Sequence, residues 1–182
     1  MLFPKSIAGL LLTPGASADR DHSTLVALDD ALSPSIAVER LTLGTTSVNR
    51  AVAKIVEATE KFADRIGTGT ESIAIGGRSF GGRACSVAAA GGLGVAGLVL
   101  LSYPLHPPGK PEKLRVEHFG DIDVPTLFVS GDRDPFGRPE EFEEHLGAIT
   151  APTALEWVSG PHSPKGGAEA EVVEIVGRYL SL

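Results

Sequence analysis

The sequence predicts an α/β fold, a three-layer sandwich in which a mostly parallel sheet lies between two layers of helices. Three observations predict it: short β-branched or Leu-rich runs alternate with segments of helical period, each run is read as ending in Gly, Pro or Ser, and no linker or internal repeat interrupts the alternation. Strand and helix in strict alternation imply right-handed crossovers that cover both faces of the sheet. At 182 residues the chain has the length of one domain, 1–182, and its 42% hydrophobic content can fill one core. A disordered tail or a solenoid fragment is thereby excluded.

The first strand is expected at 7–12. Lys5, this apolar run and Ala16-Ser17-Ala18 imitate a secretory leader, but the run is shorter than the roughly 7 to 15 residues such leaders use, and Pro14-Gly15 reads as a turn. Leu25, Val26, Leu28 and Leu32 then mark one helical face, and a second strand is expected at 37–43. Val52, Ile55, Val56, Thr59, Phe62, Ala63 and Ile66 mark a longer helix, followed by a strand at 72–75. The segment 80–90 is apolar on most sides, which suits a helix buried against the sheet. Strands at 95–102 and 126–129 come next. Phe142, Leu146 and Ile149 follow Pro139 and a Glu pair, a favourable helix start. A last strand at 154–158 precedes the face formed by Val172, Val173, Val176, Tyr179 and Leu180.

Sixteen basic against 23 acidic residues, a net charge of −7, give no electrostatic reason to approach nucleic acid or an anionic membrane. No stretch approaches the roughly 18 apolar residues of a membrane span. Cys85 stands alone, so no internal disulfide forms, and no Cys/His cluster has zinc-ligand spacing. Neither metal nor cofactor is expected, and the expected location is the cytoplasm.

Gly77-Arg78-Ser79-Phe80-Gly81 matches G-x-S-x-G, in which a serine stands on a sharp strand-to-helix turn. In a chain with 22 glycines the match alone is weak, but a strand before it and a helix after it supply the context the motif requires. The turn crowds its neighbours, so glycines flank it. The helix N-terminus then points free N–H groups at the place where an oxyanion would form.

Such a serine needs a base, and the base an orienting carboxylate. Asp132 and Asp134 lie just beyond the strand at 126–129, and His162 just beyond the last strand. The chain order Ser79, Asp134, His162 is that of α/β-hydrolase triads. Asp134 is assigned to catalysis, and Asp132 to the tight turn made by Gly131, Pro135 and Gly137. Among five histidines, His118 and His145 are expected to be solvated and His22 to cap a helix, while His106, also at a strand end, is the alternative base. Arg78, Arg83, Arg115 and Arg138 read as partners of surface glutamates. The sharper reading puts Arg78 on the pocket rim, selecting an acidic acyl group, so Arg78 and His106 are candidate substrate contacts. Cys85 and Trp157 are expected in the core.

Three longer stretches extend the pattern: 76–83 (GGRSFGGR), 101–110 (LSYPLHPPGK) and 124–137 (VPTLFVSGDRDPFG), together with 11–16 (LLTPGA) and His162-Ser163. With these the chain resembles small dienelactone-hydrolase-like α/β-hydrolases, the family that includes the third subunit of the NSL histone-acetylation complex and its testis-expressed homologue. The resemblance implies a minimal core with strand order 2-1-3-4-5-6. It also implies an oxyanion hole made by the N–H groups of Ala16 and Phe80. Two departures stand out: Pro14 occupies a position where the family usually carries His, and the stretch 44–49 is short, which is expected to remove one wall of the site.

These readings lead to a serine hydrolase of small esters or thioesters. The alternative is a catalytically idle scaffold that binds a protein. Phosphate binding at the glycine-rich turn fits less well, because the Lys-Ser/Thr of a P-loop is missing. Only 104–123 separates the fourth and fifth strands, too little for a cap domain, so an open, shallow site is expected, with room for a second copy or a protein partner.

Overall fold

Gly9–Thr13 (β1) lies inside the sheet and is buried along its whole length, as a strand covered by helices on both faces must be. In the computed structural model, which describes residues 2–3 and 7–181, it pairs in parallel with Ala37–Arg40 (β2) on one side and Ile73–Arg78 (β3) on the other. Gly97–Leu101 (β4), Thr126–Gly131 (β5) and Thr153–Val158 (β6) extend the sheet to the order β2-β1-β3-β4-β5-β6, every neighbouring pair parallel. Lys5, part of the leader-like pattern, lies outside the described residues.

Helices Ser23–Leu32 (α1) and Gly167–Leu180 (α5) cover one face, burying Leu25, Leu28, Val172 and Val176 against Leu10, Leu12 and Val99. Val48–Ile66 (α2), Phe80–Ala90 (α3) and Pro139–Leu146 (α4) cover the other. On this side Phe128 sits amid an aromatic cluster, 5.7 Å from the ring of Tyr103 and 5.9 Å from that of Phe142, which in turn meets Trp157 at 5.4 Å. Phe128→Ala is expected to lower stability by about 3 to 5 kcal/mol, read as a lower urea midpoint at unchanged slope.

Most strand ends differ from the sequence expectation by one or two residues, and three differences bear on the site and the core. β2 stops at Arg40 rather than 43, because it is the edge strand and Leu43 turns inward to be buried. Arg40 is held there by Asp21 and Asp29, each at 2.9 Å. β3 runs three residues beyond 75, through Gly76 and Gly77, up to the serine. A side chain at Gly76 would collide with the Val99 carbonyl, so glycine permits close strand pairing there instead of ending the strand. Helix α4 ends at Leu146, and Ile149 reaches the core from beyond it.

The strand order reverses across β1 and β3, whose C-terminal ends meet at the Thr13–Gly77 pair. That is the crevice where ligands bind in open parallel sheets. Between β4 and β5 the chain forms only a 3-10 turn, Phe119–Asp121, and among the described residues no cap covers the crevice.

Candidate active site

Ser79 is the first residue beyond β3 and the N-cap of α3, with φ 51° and ψ −117°. For a residue with a Cβ this is a strained conformation, worth about 1 to 3 kcal/mol, and it is held by packing on both sides. A side chain at Gly77 would strike Thr13, and one at Gly81 would strike the Pro14 carbonyl. The two glycines of the motif therefore let the loop after β1 lie directly against the turn.

His162 lies in the loop after β6. Its Nε2 is 2.8 Å from Ser79 Oγ and its Nδ1 is 2.7 Å from Asp134 Oδ2. With the proton on Nδ1, the ring donates to the carboxylate and accepts from the serine hydroxyl, the arrangement a general base needs. Asp134 is almost wholly buried, and its other oxygen accepts the Phe136 N–H at 2.9 Å. The Phe136 ring stacks on the imidazole with centroids 4.1 Å apart, which fixes the ring plane. Asp132 instead accepts the Gly160 N–H at 2.8 Å, tying the β5 turn to the histidine loop.

A second serine–histidine pair occurs in the same fold, with Ser86 Oγ 2.8 Å from His118 Nε2. Its surroundings differ. Ser86 is buried in the middle of α3, and its hydroxyl donates to the Arg83 carbonyl at 2.9 Å. His118 Nδ1 is buried and has no partner among the described residues, so no carboxylate orients the ring. Burial holds His118 below its ordinary pKa, which suits a neutral ring inside the structure. His118 is therefore not the solvated residue the sequence suggested, because the segment 104–123 folds back onto α3. Ser79, by contrast, opens onto a pocket.

That pocket encloses about 400 Å³. Ala16, Phe80 and Phe136 line it beside Ser79 and His162, and Arg78, Arg83 and Arg115 supply its charge. Among the described residues no carboxylate lines it. Burial, then the nearby Arg83, pulls the Arg115 guanidinium below its ordinary value, as expected for neighbouring like charges. Glu117 approaches Arg83 only to 3.7 Å, from a largely exposed position. A second hollow of about 310 Å³, lined by Ser17 and Leu43 among others, shares Gly15 and Thr46 with the first. The short stretch 44–49 thus still contributes a wall, through Thr46. Phe80, as the first helical residue, has an N–H without an intrahelical acceptor.

Two further sequence readings need correction. His106 is not at the pocket: it is 5% exposed, with Nε2 at 3.0 Å from Glu141 and Nδ1 at 2.8 Å from the Pro107 carbonyl. Its backbone follows a strand end, but its side chain turns toward α4. Arg78 is not a surface residue paired with glutamate. It is 8% exposed, and its Nη2 donates to the His162 carbonyl at 2.6 Å and also to Ser163 Oγ. His22 caps α1, accepting the Thr24 N–H at 3.3 Å, and Cys85 is a core residue whose thiol burial pushes up to about 12. Among the described residues no cluster of three His, Cys, Asp or Glu side chains is arranged to hold a metal, and no helix is long and apolar enough to cross a membrane.

Solved structures share this architecture. An alpha-beta serine hydrolase homologue from Coxiella burnetii is 19% identical, with a TM-score of 0.78 over 98% of this chain and 88% of that one. Dienelactone hydrolase from Anabaena variabilis is 18% identical, with a TM-score of 0.76 over 97% and 86% of the two chains. Est1E from Butyrivibrio proteoclasticus is 17% identical, with a TM-score of 0.75 over 98% and 90%. At these identities the likeness establishes the fold. The sequence itself matches the family described as an alpha/beta hydrolase domain over residues 6–171, most of its length, and the chain belongs to that family.

Proposed function

We propose that the protein is a serine hydrolase that cleaves a small ester or thioester, with residues 1–182 acting as one domain in the cytoplasm. The observation that carries this reading is the continuous run of hydrogen bonds from Ser79 through His162 to Asp134 at the mouth of a pocket. Ser79 Oγ attacks the acyl carbonyl while His162 Nε2 takes its proton. The oxyanion is received by the N–H groups of Ala16 and Phe80, each such donor being worth about 2.7 to 4 kcal/mol to the transition state. His162 then protonates the leaving alcohol or thiol, and water releases the acyl group by the same route. Asp134 holds the imidazole tautomer and stabilises its charged form.

The single free, buried cysteine suits a reducing compartment. Residues 76–83, 101–110 and 124–137 support placing the chain beside the NSL third subunit and its testis-expressed homologue within the family. The partner in this reading is a small molecule rather than nucleic acid or membrane, and the uncapped site leaves room for a second copy or a protein partner.

The three arginines favour an acyl group that carries a negative charge. Arg83 lies one turn beyond Ser79 on α3, on the same face of the helix, close enough to meet a carboxylate a few carbons from the scissile carbonyl. Charge-assisted bonds of this kind contribute about 1.5 to 3 kcal/mol, so kcat/KM for monomethyl glutarate is expected to exceed that for methyl valerate about tenfold or more. Arg83→Gln should remove the preference. Equal rates for the two esters in the native protein would count against it.

A further inference from the structure

We propose that Arg78 is a positioning residue that holds His162 in line with Ser79 through the histidine's own backbone carbonyl. This rests on the reading of Ser79 and His162 as nucleophile and base.

The loop bearing His162 is pinned mainly at its ends: among the described residues its backbone–backbone hydrogen bonds are Gly160, accepting from Arg133 at 3.0 Å, and Gly166, accepting from Ala170 at 3.1 Å, and the Gly160 N–H donates to Asp132 at 2.8 Å. Between those anchors, Arg78 Nη2 grips the His162 carbonyl at 2.6 Å and bonds Ser163 Oγ. Arg78 is also the last residue of β3, directly before Ser79. One side chain therefore joins the strand that presents the nucleophile to the loop that presents the base, across 84 residues of sequence.

The arginine is itself held firmly. β3 and β4 fix its backbone through the Arg78–Leu101 pair, and its side chain is buried. Asp134 and Glu169 face its charge, as does His22, whose ring is kept below its ordinary pKa by burial and by Arg78. Glu169 is anchored by Ser23 and Thr24, each donating at 2.7 Å. A planar guanidinium with two acceptors on one nitrogen fixes direction as well as distance, which an ammonium on a flexible stem does less well. A shift of about 1 Å in a catalytic group can reduce turnover about a hundredfold, so small slack in this loop matters.

The test combines turnover with a signal that needs none: the strongly deshielded proton between His162 Nδ1 and Asp134 in the proton NMR spectrum. In Arg78→Ala, kcat is expected to fall about 10- to 100-fold with KM within about twofold, at temperatures well below unfolding. The proton signal should broaden or vanish, and added guanidinium ion should restore part of both. Arg78→Lys should fall between native and Ala. Ser163→Ala, which removes one of the two acceptors and leaves the carbonyl bond intact, should lower kcat less than Arg78→Ala, and it serves with Arg78→Lys if the Ala variant does not fold. An unchanged kcat and proton signal in the Arg78 variants would overturn the proposal, as would a loss confined to KM, which would make Arg78 a substrate contact. The proton signal decides the role of Arg78 even in a protein inert toward every ester, so the two readings fail separately.

Discussion

Ser79→Ala is expected to lower kcat by about 10⁴-fold or more on any ester the native protein cleaves, while leaving the unfolding midpoint close to native. Removing the nucleophile of a serine triad costs about as much as removing the whole triad, because the members act as a unit, and what survives comes from the oxyanion donors and binding. The substitution keeps a Cβ at the strained turn and deletes one hydroxyl, which bonds to His162. Steady-state hydrolysis of short nitrophenyl esters, with urea unfolding as the control, measures both effects. Activity in Ser79→Ala equal to native would remove Ser79 from the mechanism.

Asp134→Asn should lower kcat by a similar factor, about 10⁴-fold, with little change in KM. The carboxylate accepts from His162 Nδ1 at 2.7 Å and from the Phe136 N–H at 2.9 Å. An amide can keep the second bond with its oxygen, but then presents its NH₂ to the imidazole and favours the tautomer with the proton on Nε2. That ring can no longer accept the serine proton. Asp132→Asn is the matched control. Its contact is the Gly160 N–H, which an amide oxygen also accepts, and a loss within about threefold is expected. If the two substitutions lowered kcat equally, the division of labour between the aspartates would be wrong.

Much of this was legible in the sequence because it follows from local rules. Six apolar runs and five helical faces became the sheet and its two layers, since the four inner strands are buried along their whole length and helices cover both faces of the sheet. The serine was legible because its turn demands glycines at fixed offsets, and the aspartate and histidine because each follows a strand that ends at the same edge of the sheet. The errors concern side chains whose partners lie far along the chain. Arg78 read as a partner of surface glutamates, since nothing local shows that a guanidinium inside the strand end will find a carbonyl 84 residues later. His106 read as a site residue because its backbone leaves a strand end, whereas Glu141 on α4 decides where its ring points. His118 read as solvated, and only the folding of 104–123 onto α3 brings it to Ser86. β3 read as ending early because glycine usually ends a strand, yet here Gly76 allows the Val99 backbone to approach.

The central claim is that Ser79, not Ser86, is the nucleophile, although both lie within 2.8 Å of a histidine. Labelling the native protein with a fluorophosphonate and locating the added mass by peptide sequencing tests it most directly. The account predicts one adduct, on Ser79, absent from Ser79→Ala and retained in Ser86→Ala. An adduct on Ser86, equal labelling of Ser79→Ala, or a native protein that takes up no label would contradict it, and the last result would favour a binding scaffold over an enzyme.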